Sequence, residues 1–252
     1  MKEEKTTIEG RNPVAEALRA GTPIDKIIVS ETARRETLSR IFALAKDRGI
    51  PIQTVRAQKL AEMAETEASQ GVVAVCAAAS YVSVEELLAR AQRKGTPPFL
   101  IIADEITDPH NLGAIIRTAN AVGADGVIIP KNRSAGINAV VAKTSAGAVS
   151  YTPVARVTNL GQTIDLLKER GIWVTGADMS GESTLYKTDL TGAIALVVGS
   201  EGKGISRLVR QKCDFLVQIP MFGEINSLNA SVAAAVMMYE IVRQRLNKES
   251  TN

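Results

Sequence analysis

The chain has 252 residues, of which 45% are hydrophobic and 23% charged, enough for one large domain or two modest ones. A formal net charge of +3 excludes a strongly basic chain, so any nucleic-acid surface would be a local patch. No apolar run approaches the roughly 20 residues of a membrane helix, and the first residues lack the apolar stretch of a signal peptide. We therefore expect a cytoplasmic protein with no membrane partner.

The first 80 residues alternate between helical and strand patterns. Asn12 would cap the first helix, with Pro13 at its first position. The patterns predict a compact α/β unit over residues 1–80, with helices at 13–21, 33–49 and 57–65 and strands at 25–30, 51–56 and 71–79.

Residues 81–98 contain a charged helical pattern that ends in Gly-Thr-Pro-Pro, a composition typical of a linker. Beyond it, continuous apolar strands alternate with helical patterns. This alternation indicates a parallel sheet covered on both faces. Residues 99–252 would form this second α/β domain, with strands at 99–104, 125–130, 172–178, 193–199 and 215–220.

Three polar clusters follow strands of this predicted sheet: DEITDPHN (104–111), GSEGKG (199–204) and MFGEINSLN (221–229). Ligands of such sheets bind beyond the carboxyl ends of the strands. In the second cluster, glycine permits close backbone approach to a ligand, with Glu201 as a polar handle. A flexible turn is the alternative.

The first and third clusters each precede a helical pattern. Asn111 is a candidate cap, and Arg117 lies nearly two turns further along, where a solvated helix face is the alternative to a functional role. Ser227 or Asn226 would cap the last helix. Asn229 would then lie in its first turn, where asparagine is a poor helix former.

Several common motifs are missing from the sequence. There is no GxxxxGK[ST], no GxGxxG after a strand and no GxSxG. Their absence argues against a P-loop enzyme, a dinucleotide dehydrogenase, an ordinary Rossmann methyltransferase and a serine hydrolase. A multi-histidine metal site is also excluded, because His110 is the only histidine. Cys76 and Cys213 form no CxxC pair and are expected to be reduced thiols, with a zinc site built on both cysteines and His110 as the alternative.

Together the three clusters resemble the SpoU (TrmH-like) branch of the SPOUT methyltransferases across residues 99–246. The first motif, N-x-G-x-x-x-R, is Asn111, Gly113 and Arg117, and the second is the Gly-Ser-Glu-Gly of 199–202. The third is the I-P-M of 219–221 followed by Ser-Leu-Asn-Ala-Ser at 227–231. The first domain, with IEGRNPVAEAL, resembles the RNA-binding domain of bacterial enzymes that methylate a guanosine ribose in 23S rRNA.

The resemblance implies S-adenosylmethionine as cofactor, a deep trefoil knot in the second domain and a homodimer. It implies methylation of a ribose 2′-hydroxyl in RNA, without a metal. Cofactor contacts would fall on Gly176, Gly199, Ile219, Met221 and Leu228.

The resemblance also suggests roles for the remaining motif residues. Ser227 and Asn229 would hold the hydroxyl and a neighbouring oxygen, while Asn111 and Glu201 would fix the loops or the substrate. The family's proposed base falls on Arg117. We favour a phosphate clamp there, because a guanidinium group keeps its proton in proteins. His110 is an alternative base.

RNA contacts in the first domain are expected at the starts of its helices, on Arg11, Asn12, Arg34 and Arg35, with a solvated charged face as the alternative. The substrate stays open between 23S rRNA and tRNA. A non-catalytic RNA-binding protein or a resistance-type ribosome modifier is a further alternative. A dehydrogenase is a third, but the sequence contains no fingerprint for nicotinamide binding.

The last helical pattern is apolar nearly all round. One stripe, from Leu228 through Val232 and Tyr239 to Leu246, would pack on the sheet. Apolar residues on the other faces predict further cover. We expect this helix and the helical segment 112–124 to form much of a two-fold dimer interface, with burial inside one bulky subunit as the alternative.

Overall fold

The computed structural model describes residues 7–20, 22, 24–64, 66, 69–76, 81–181, 183–224 and 226–249. The chain divides into two compact units. One comprises Met1–Ser80 with Gly136–Tyr151, and the other comprises Tyr81–Ala135 with Thr152–Asn252. None of the helices in these described ranges is long and apolar enough to cross a membrane.

The first unit is built on a four-stranded sheet of order β1-β4-β2-β3. Strands β2 and β3 are parallel, and β4 runs antiparallel to both β1 and β2. Each helix and strand predicted for residues 1–80 has a counterpart, and β1 is an addition. In chain order the elements are β1 (Thr7–Glu9), α1 (Arg11–Arg19), β2 (Ile24–Ser30), α2 (Arg35–Asp47), β3 (Ile52–Val55), α3 (Ala57–Met63) and β4 (Val72–Cys76).

Helix α1 begins earlier than the sequence predicted. Gly10 precedes it with φ 89°, so Asn12 and Pro13 lie inside the first turn. The prediction of Asn12 as the cap was therefore wrong. Glycine adopts this backbone conformation at no steric cost, which lets the chain pass from β1 into α1 through a single residue.

Residues 136–151 return to the first unit through α6 (Ala139–Thr144) and the short 3₁₀ turn Ala148–Ser150. Ala142 is buried in the same apolar core as Val14 and Leu18. The Tyr151 hydroxyl donates to the Glu16 carboxylate at 2.6 Å, and this hydrogen bond raises the pKa of Tyr151 above its usual value. A boundary at residue 80 therefore leaves out a segment that the core of the first unit includes.

The second unit is built on a seven-stranded, wholly parallel sheet of order β7-β6-β5-β10-β8-β11-β9. The predicted α/β class with a C-terminal parallel sheet is confirmed, and strands β7 and β9 were not predicted. The strands are β5 (Phe99–Ala103), β6 (Gly126–Pro130), β7 (Val154–Val157), β8 (Trp173–Ala177), β9 (Ser183–Thr184), β10 (Ile194–Val198) and β11 (Phe215–Gln218).

Helices cover this sheet: α4 (Val84–Lys94), α5 (Pro109–Ala121), α7 (Leu160–Glu169), α8 (Arg207–Lys212) and α9 (Ala230–Glu249). Helix α4 lies within the segment that was expected to be a linker. Its residues Val84, Leu87 and Leu88 are instead buried in the core of the second unit. The charged residues that suggested a linker occupy the opposite face of an amphipathic helix.

Helix α9 buries a different face from the one predicted. Ala234, Met237, Met238 and Ile241 are fully buried, and the helix packs on α5 as well as on strands of the sheet. By contrast, the stripe expected to face the sheet is exposed, at 47% for Val232, 55% for Tyr239 and 57% for Leu246. An apolar pattern on all faces does not indicate which face is inward, so the sequence alone left this choice undetermined.

The close packing of Gly126 in β6 against Leu87 of α4 can be tested by measuring the stability of a variant. A methyl group added at Gly126 would lie 2.5 Å from Leu87 Cδ2 and 2.8 Å from the Pro153 carbonyl oxygen. The Leu87 side chain can move, but the Pro153 backbone is held in the sheet. Gly126→Ala should therefore lower the free energy of unfolding by about 1–3 kcal/mol, measured by urea denaturation.

Gly192→Ala is the matched control, because a methyl group there would have no atom within 4 Å. It should be neutral or stabilise the protein by up to about 1 kcal/mol. Similar destabilisation by both variants would show that the space around Gly126 is not the cause.

Candidate functional site

A cavity of about 320 Å³ opens at the carboxyl ends of β8, β10 and β11. Its wall comes from the loops that follow these strands and from the first turns of α9. Apolar and polar side chains share this wall, in the mixture that is typical of small-molecule sites. Val198, Ile219, Met221 and Leu228 supply apolar surface, and Asp178, Glu201, Gln218 and Ser227 supply polar groups.

The predicted cofactor residues divide into two groups. Gly199, Ile219, Met221 and Leu228 line the cavity. Gly176 does not line it, because it lies inside β8, where an added methyl group would be 2.9 Å from Ile205 Cδ1 and 3.0 Å from the Cys213 sulfur. Burial raises the pKa of the Cys213 thiol to about 12.

The loop 199–204 is a closed turn. Ser200 and Gly204 exchange backbone hydrogen bonds of 3.1 and 2.9 Å. Gly204 has φ 65°, and an added methyl group at Gly199 would collide with the Gly204 backbone. Beyond the turn, the Ser206 amide donates to the buried Asp104 carboxylate at 2.7 Å. These contacts hold the two ends of the turn that carries Glu201 together.

Asn229 caps helix α9. Its Oδ1 accepts hydrogen bonds from the amides of Ser231 at 3.0 Å and Val232 at 3.2 Å, and from the Ser231 hydroxyl at 2.6 Å. The predictions of Asn226 or Ser227 as the cap were wrong. An amide side chain has both an acceptor and donors, so Asn229 can cap the helix with Oδ1 and bind elsewhere with Nδ2.

The donor side of Asn229 reaches the two other polar clusters. Its Nδ2 donates to Asn111 Oδ1 at 3.0 Å and also contacts Glu201 Oε1. Asn111 Nδ2 donates to the same Glu201 oxygen at 3.1 Å. We call these three side chains the Asn111–Glu201–Asn229 cluster. It joins the first turn of α5, which follows β5, to the loops that follow β10 and β11.

Asn111 can join this cluster because it does not cap its own helix. Asp108 caps α5 instead, accepting from the His110 amide at 2.9 Å, and Pro109 is the first helical residue. The prediction of Asn111 as the cap was thus wrong. Its side chain is free to leave the helix surface and meet Glu201.

Arg117 and Ser227 lie outside the cluster. The Arg117 side chain is exposed on α5, nearly two turns beyond Asn111, and within the described parts of the chain it has no hydrogen-bond or ion-pair partner. Ser227 is exposed at the cavity wall, and its hydroxyl likewise has no partner in those parts. Both groups are therefore available to a bound molecule. His110 is exposed as well.

The cavity wall also contains an ion pair that was not predicted from the sequence. Arg210 Nε lies 3.5 Å from Asp178 Oδ2, and Asp178 Oδ1 accepts from the Ser180 amide at 2.8 Å. Asp178 directly follows β8 at the sheet edge where ligands bind, and that position could have identified it. Among the described residues, no group of three or more His, Cys, Asp or Glu could hold a metal ion.

The residues predicted to bind RNA lie in the first unit. Arg11 opens α1, and its backbone amide and Nε both donate to Gln70 Oε1, at 3.1 and 3.4 Å. Asn12 is exposed in the same turn. Arg34 and Arg35 are exposed at the start of α2.

Two known families match this chain over most of its length. The SpoU rRNA Methylase family matches residues 98–239, and the RNA 2′-O ribose methyltransferase substrate binding family matches residues 7–82. YacO of Bacillus subtilis (strain 168), assigned to the TrmH family of tRNA/rRNA methyltransferases, is 47% identical over 97% of this chain and 98% of its own length.

Solved structures agree with these matches. The SpoU methyltransferase AviRb from Streptomyces viridochromogenes, in complex with AdoMet, has a TM-score of 0.81 and 27% identity, over 96% of this chain and 90% of that one. The A. aeolicus TrmH/SpoU tRNA modifying enzyme has a TM-score of 0.55 and 31% identity, over 66% of this chain and 85% of that one.

The cap made by Asn229 can be tested by substitution. Asn229→Ala removes the acceptor for the first amides of α9, so the free energy of unfolding should fall by about 1 kcal/mol in urea denaturation. Hydrogen exchange at the Ser231 and Val232 amides should become faster, because these groups lose their acceptor.

Ser227→Ala is the control, because it truncates a polar residue of the same loop that has no partner within the described segments. Its stability should stay within about 0.5 kcal/mol of wild type. If the two variants were equally stable, Asn229 would not be the residue that caps α9.

Proposed function

The chain belongs to the SpoU family of RNA methyltransferases, and on that basis we propose that it methylates the ribose 2′-hydroxyl of a guanosine in 23S rRNA. S-adenosylmethionine is the cofactor, as in the AdoMet complex of the similar AviRb. The observation that carries the proposal is the Asn111–Glu201–Asn229 cluster beside the cavity. It brings the three family motifs to one edge of the parallel sheet.

The cavity suits this cofactor in size and in chemistry. Its volume of about 320 Å³ lies in the range of small-molecule sites. Ile219, Met221 and Leu228 offer an apolar surface for a flat base, and the Glu201 and Asp178 carboxylates offer acceptors for hydroxyl and ammonium groups. When bound, S-adenosylmethionine supplies a methyl group on a positively charged sulfur.

The residues at the mouth of the cavity act on the RNA. The ribose oxygen gains the methyl group and loses its proton, so both the oxygen and a proton acceptor must be positioned. The Ser227 hydroxyl is without a partner in the described protein and can hold the ribose oxygen. The Asn111–Glu201–Asn229 cluster keeps the loops around it in place.

Arg117 acts as a clamp for phosphate. Its guanidinium group is exposed and lacks a protein partner among the described residues, and arginine binds phosphate through two parallel hydrogen bonds. Because guanidinium keeps its proton, a phosphate oxygen that Arg117 holds is a better acceptor for the hydroxyl proton than Arg117 itself.

The choice of 23S rRNA rests on the first unit. Residues 7–82 match a substrate-binding family of RNA 2′-O ribose methyltransferases, and Arg11, Asn12, Arg34 and Arg35 supply polar and cationic groups for RNA. A tRNA substrate is the second candidate, supported by the likeness to the A. aeolicus tRNA modifying enzyme. That likeness covers only 66% of this chain, so we place tRNA second.

The exposed face of α9 suggests that the active form is a homodimer. Val232, Tyr239 and Leu246 lie at helical spacing on this face. Large apolar side chains exposed along one face of a helix in this way can mark an interaction surface. A second copy that offers the same strip would cover both in a two-fold interface.

The proposed reaction can be tested in cells that lack the gene. Their RNA should miss a 2′-O-methyl group at a guanosine of 23S rRNA, and the wild-type gene should restore it. Arg117→Ala should not restore it, because the phosphate clamp is lost. The purified variant should lose methyl transfer by about a hundredfold or more while calorimetry finds nearly unchanged S-adenosylmethionine binding.

Arg170→Ala is the matched control. It removes the same charge from an exposed position after α7, at the opposite edge of the sheet from the cavity. It should restore the methyl group. If the missing group lies in tRNA, the tRNA alternative holds, and near-wild-type single-turnover rates for Arg117→Ala would exclude the clamp.

The homodimer is tested with Tyr239→Glu combined with Leu246→Glu. Two carboxylates on the exposed strip should repel each other across a two-fold interface, so sedimentation should find monomers with an intact fold. Leu208→Glu is the control, because Leu208 is 57% exposed on α8, away from the strip. A dimer that persists in the double variant would rule out this interface.

A further inference from the structure

A second cavity, of about 410 Å³, lies wholly within the first unit. Its wall is formed by the ends of the parallel strands β2 and β3 and by the first turns of α2. This volume is within the range of small-molecule sites. None of the residues assigned above to cofactor or catalysis contributes to it.

The chemistry of this cavity combines an apolar wall with a few polar groups. Leu38, Phe42 and Ile52 provide the apolar wall. Ile52 is 38% exposed, so an apolar surface is left open to solvent. Glu31 and Thr54 add polar groups at the edge, and the Glu31 carboxylate has no partner within the described residues. A flat ring that carries N–H groups would satisfy both surfaces.

Three arginines lie in or directly next to the segments that line the cavity. Arg35 lines it and Arg34 precedes Arg35 in the chain, while Arg56 follows β3 at the sheet edge where Glu31 follows β2. The Glu31 amide donates to the Val55 carbonyl oxygen at 2.9 Å, which brings these two strand ends together. All three arginine side chains are exposed and unpaired with any described residue.

We propose that this cavity binds the base of one unpaired nucleotide of the substrate RNA. Phe42 and Ile52 contact the face of the base, Glu31 accepts a hydrogen bond from its edge, and Arg34, Arg35 and Arg56 bind the adjoining phosphates. This inference rests on the proposed function, because it has the first unit recognise an unpaired nucleotide of the substrate RNA.

An unpaired nucleotide fits this cavity better than a duplex. In a helix the faces of the bases are stacked and inaccessible, whereas a loop or bulge can place one base in a pocket. A protein segment would also cover the apolar wall. Three arginines, Arg34, Arg35 and Arg56, outnumber the carboxylates Glu31 and Glu36 here, and this surplus matches the phosphates on either side of an extruded base.

The test compares two neighbouring residues of β3 in the full-length protein. Side chains alternate along a strand, so Ile52 lines the cavity whereas Gln53, bonded to Lys26 at 3.3 Å, does not. The variants Ile52→Glu and Gln53→Glu each add one negative charge at the same edge strand. Binding is measured at physiological ionic strength with protein-free RNA from cells that lack the gene.

The Kd of Ile52→Glu should rise by about tenfold or more, because loss of one base contact is of that size. Gln53→Glu should change the Kd by less than about threefold. S-adenosylmethionine binding should be unchanged in both, which checks the fold of the second unit, and circular dichroism checks the first. Equal effects of the two variants would mean that the added charge alone weakens binding. The proposal that a base binds in this cavity would then be wrong.

A second pair of variants tests the rim. Arg35→Ala should reduce the dependence of log Kd on log salt by about 0.7, the contribution of one phosphate contact on a single strand. Arg40→Ala, on the same helix but outside the cavity wall, should leave this slope unchanged. Equal slopes for the two variants would contradict phosphate binding at the rim.

The experiments distinguish an error in the proposed base-binding cavity from an error in the proposed methyltransferase function. If wild type transfers no methyl group to any RNA, the proposed function is wrong, whatever the variants do. If wild type and Ile52→Glu bind and methylate protein-free RNA equally, the pocket is wrong and the methyltransferase assignment stands. A protein occupant would give this second result.

Discussion

The geometry of the candidate site depends on the two ends of one amide side chain. Asn229 Oδ1 caps α9, and Asn229 Nδ2 reaches Asn111 and Glu201. The same residue that begins the last helix therefore holds together the loops that follow three different strands. Of the amino acids that commonly cap helices, only asparagine also has an amide donor. Serine, threonine or aspartate could cap α9 but could not supply the N–H groups that this cluster uses.

The order of strands in the sheet makes this cluster possible. β10 comes after β6, β7, β8 and β9 in the chain but lies between β5 and β8, and β11 lies on the far side of β8. Since all strands are parallel, the loops after them emerge at one edge. Residues separated by 90 and 118 positions in the chain thus come within hydrogen-bond distance. Tight turns such as Gly199–Gly204 then keep the backbone close to the cavity.

The two units carry different kinds of surface. The second holds a cavity with an apolar wall, carboxylates and polar groups that have no partner among the described residues, which suits a small cofactor and a single reacting nucleotide. In the first, exposed arginines lie at strand and helix ends, beside a cavity open to solvent. A long RNA offers many phosphates but few distinctive groups near one ribose, so separate surfaces for affinity and for chemistry are physically reasonable.

The sequence by itself determined the α/β class, the parallel sheet of the second unit, the main strands and the three polar clusters at their ends. These features are local, because apolar runs and helical periods are read over a few residues. Only the tertiary structure decided which asparagine caps α9, which face of α9 is buried and that α4 and α6 belong to the cores of different units. Each of these depends on contacts between residues far apart in the chain. A pattern that is apolar on all sides, or rich in several capping residues, is compatible with more than one such set of contacts.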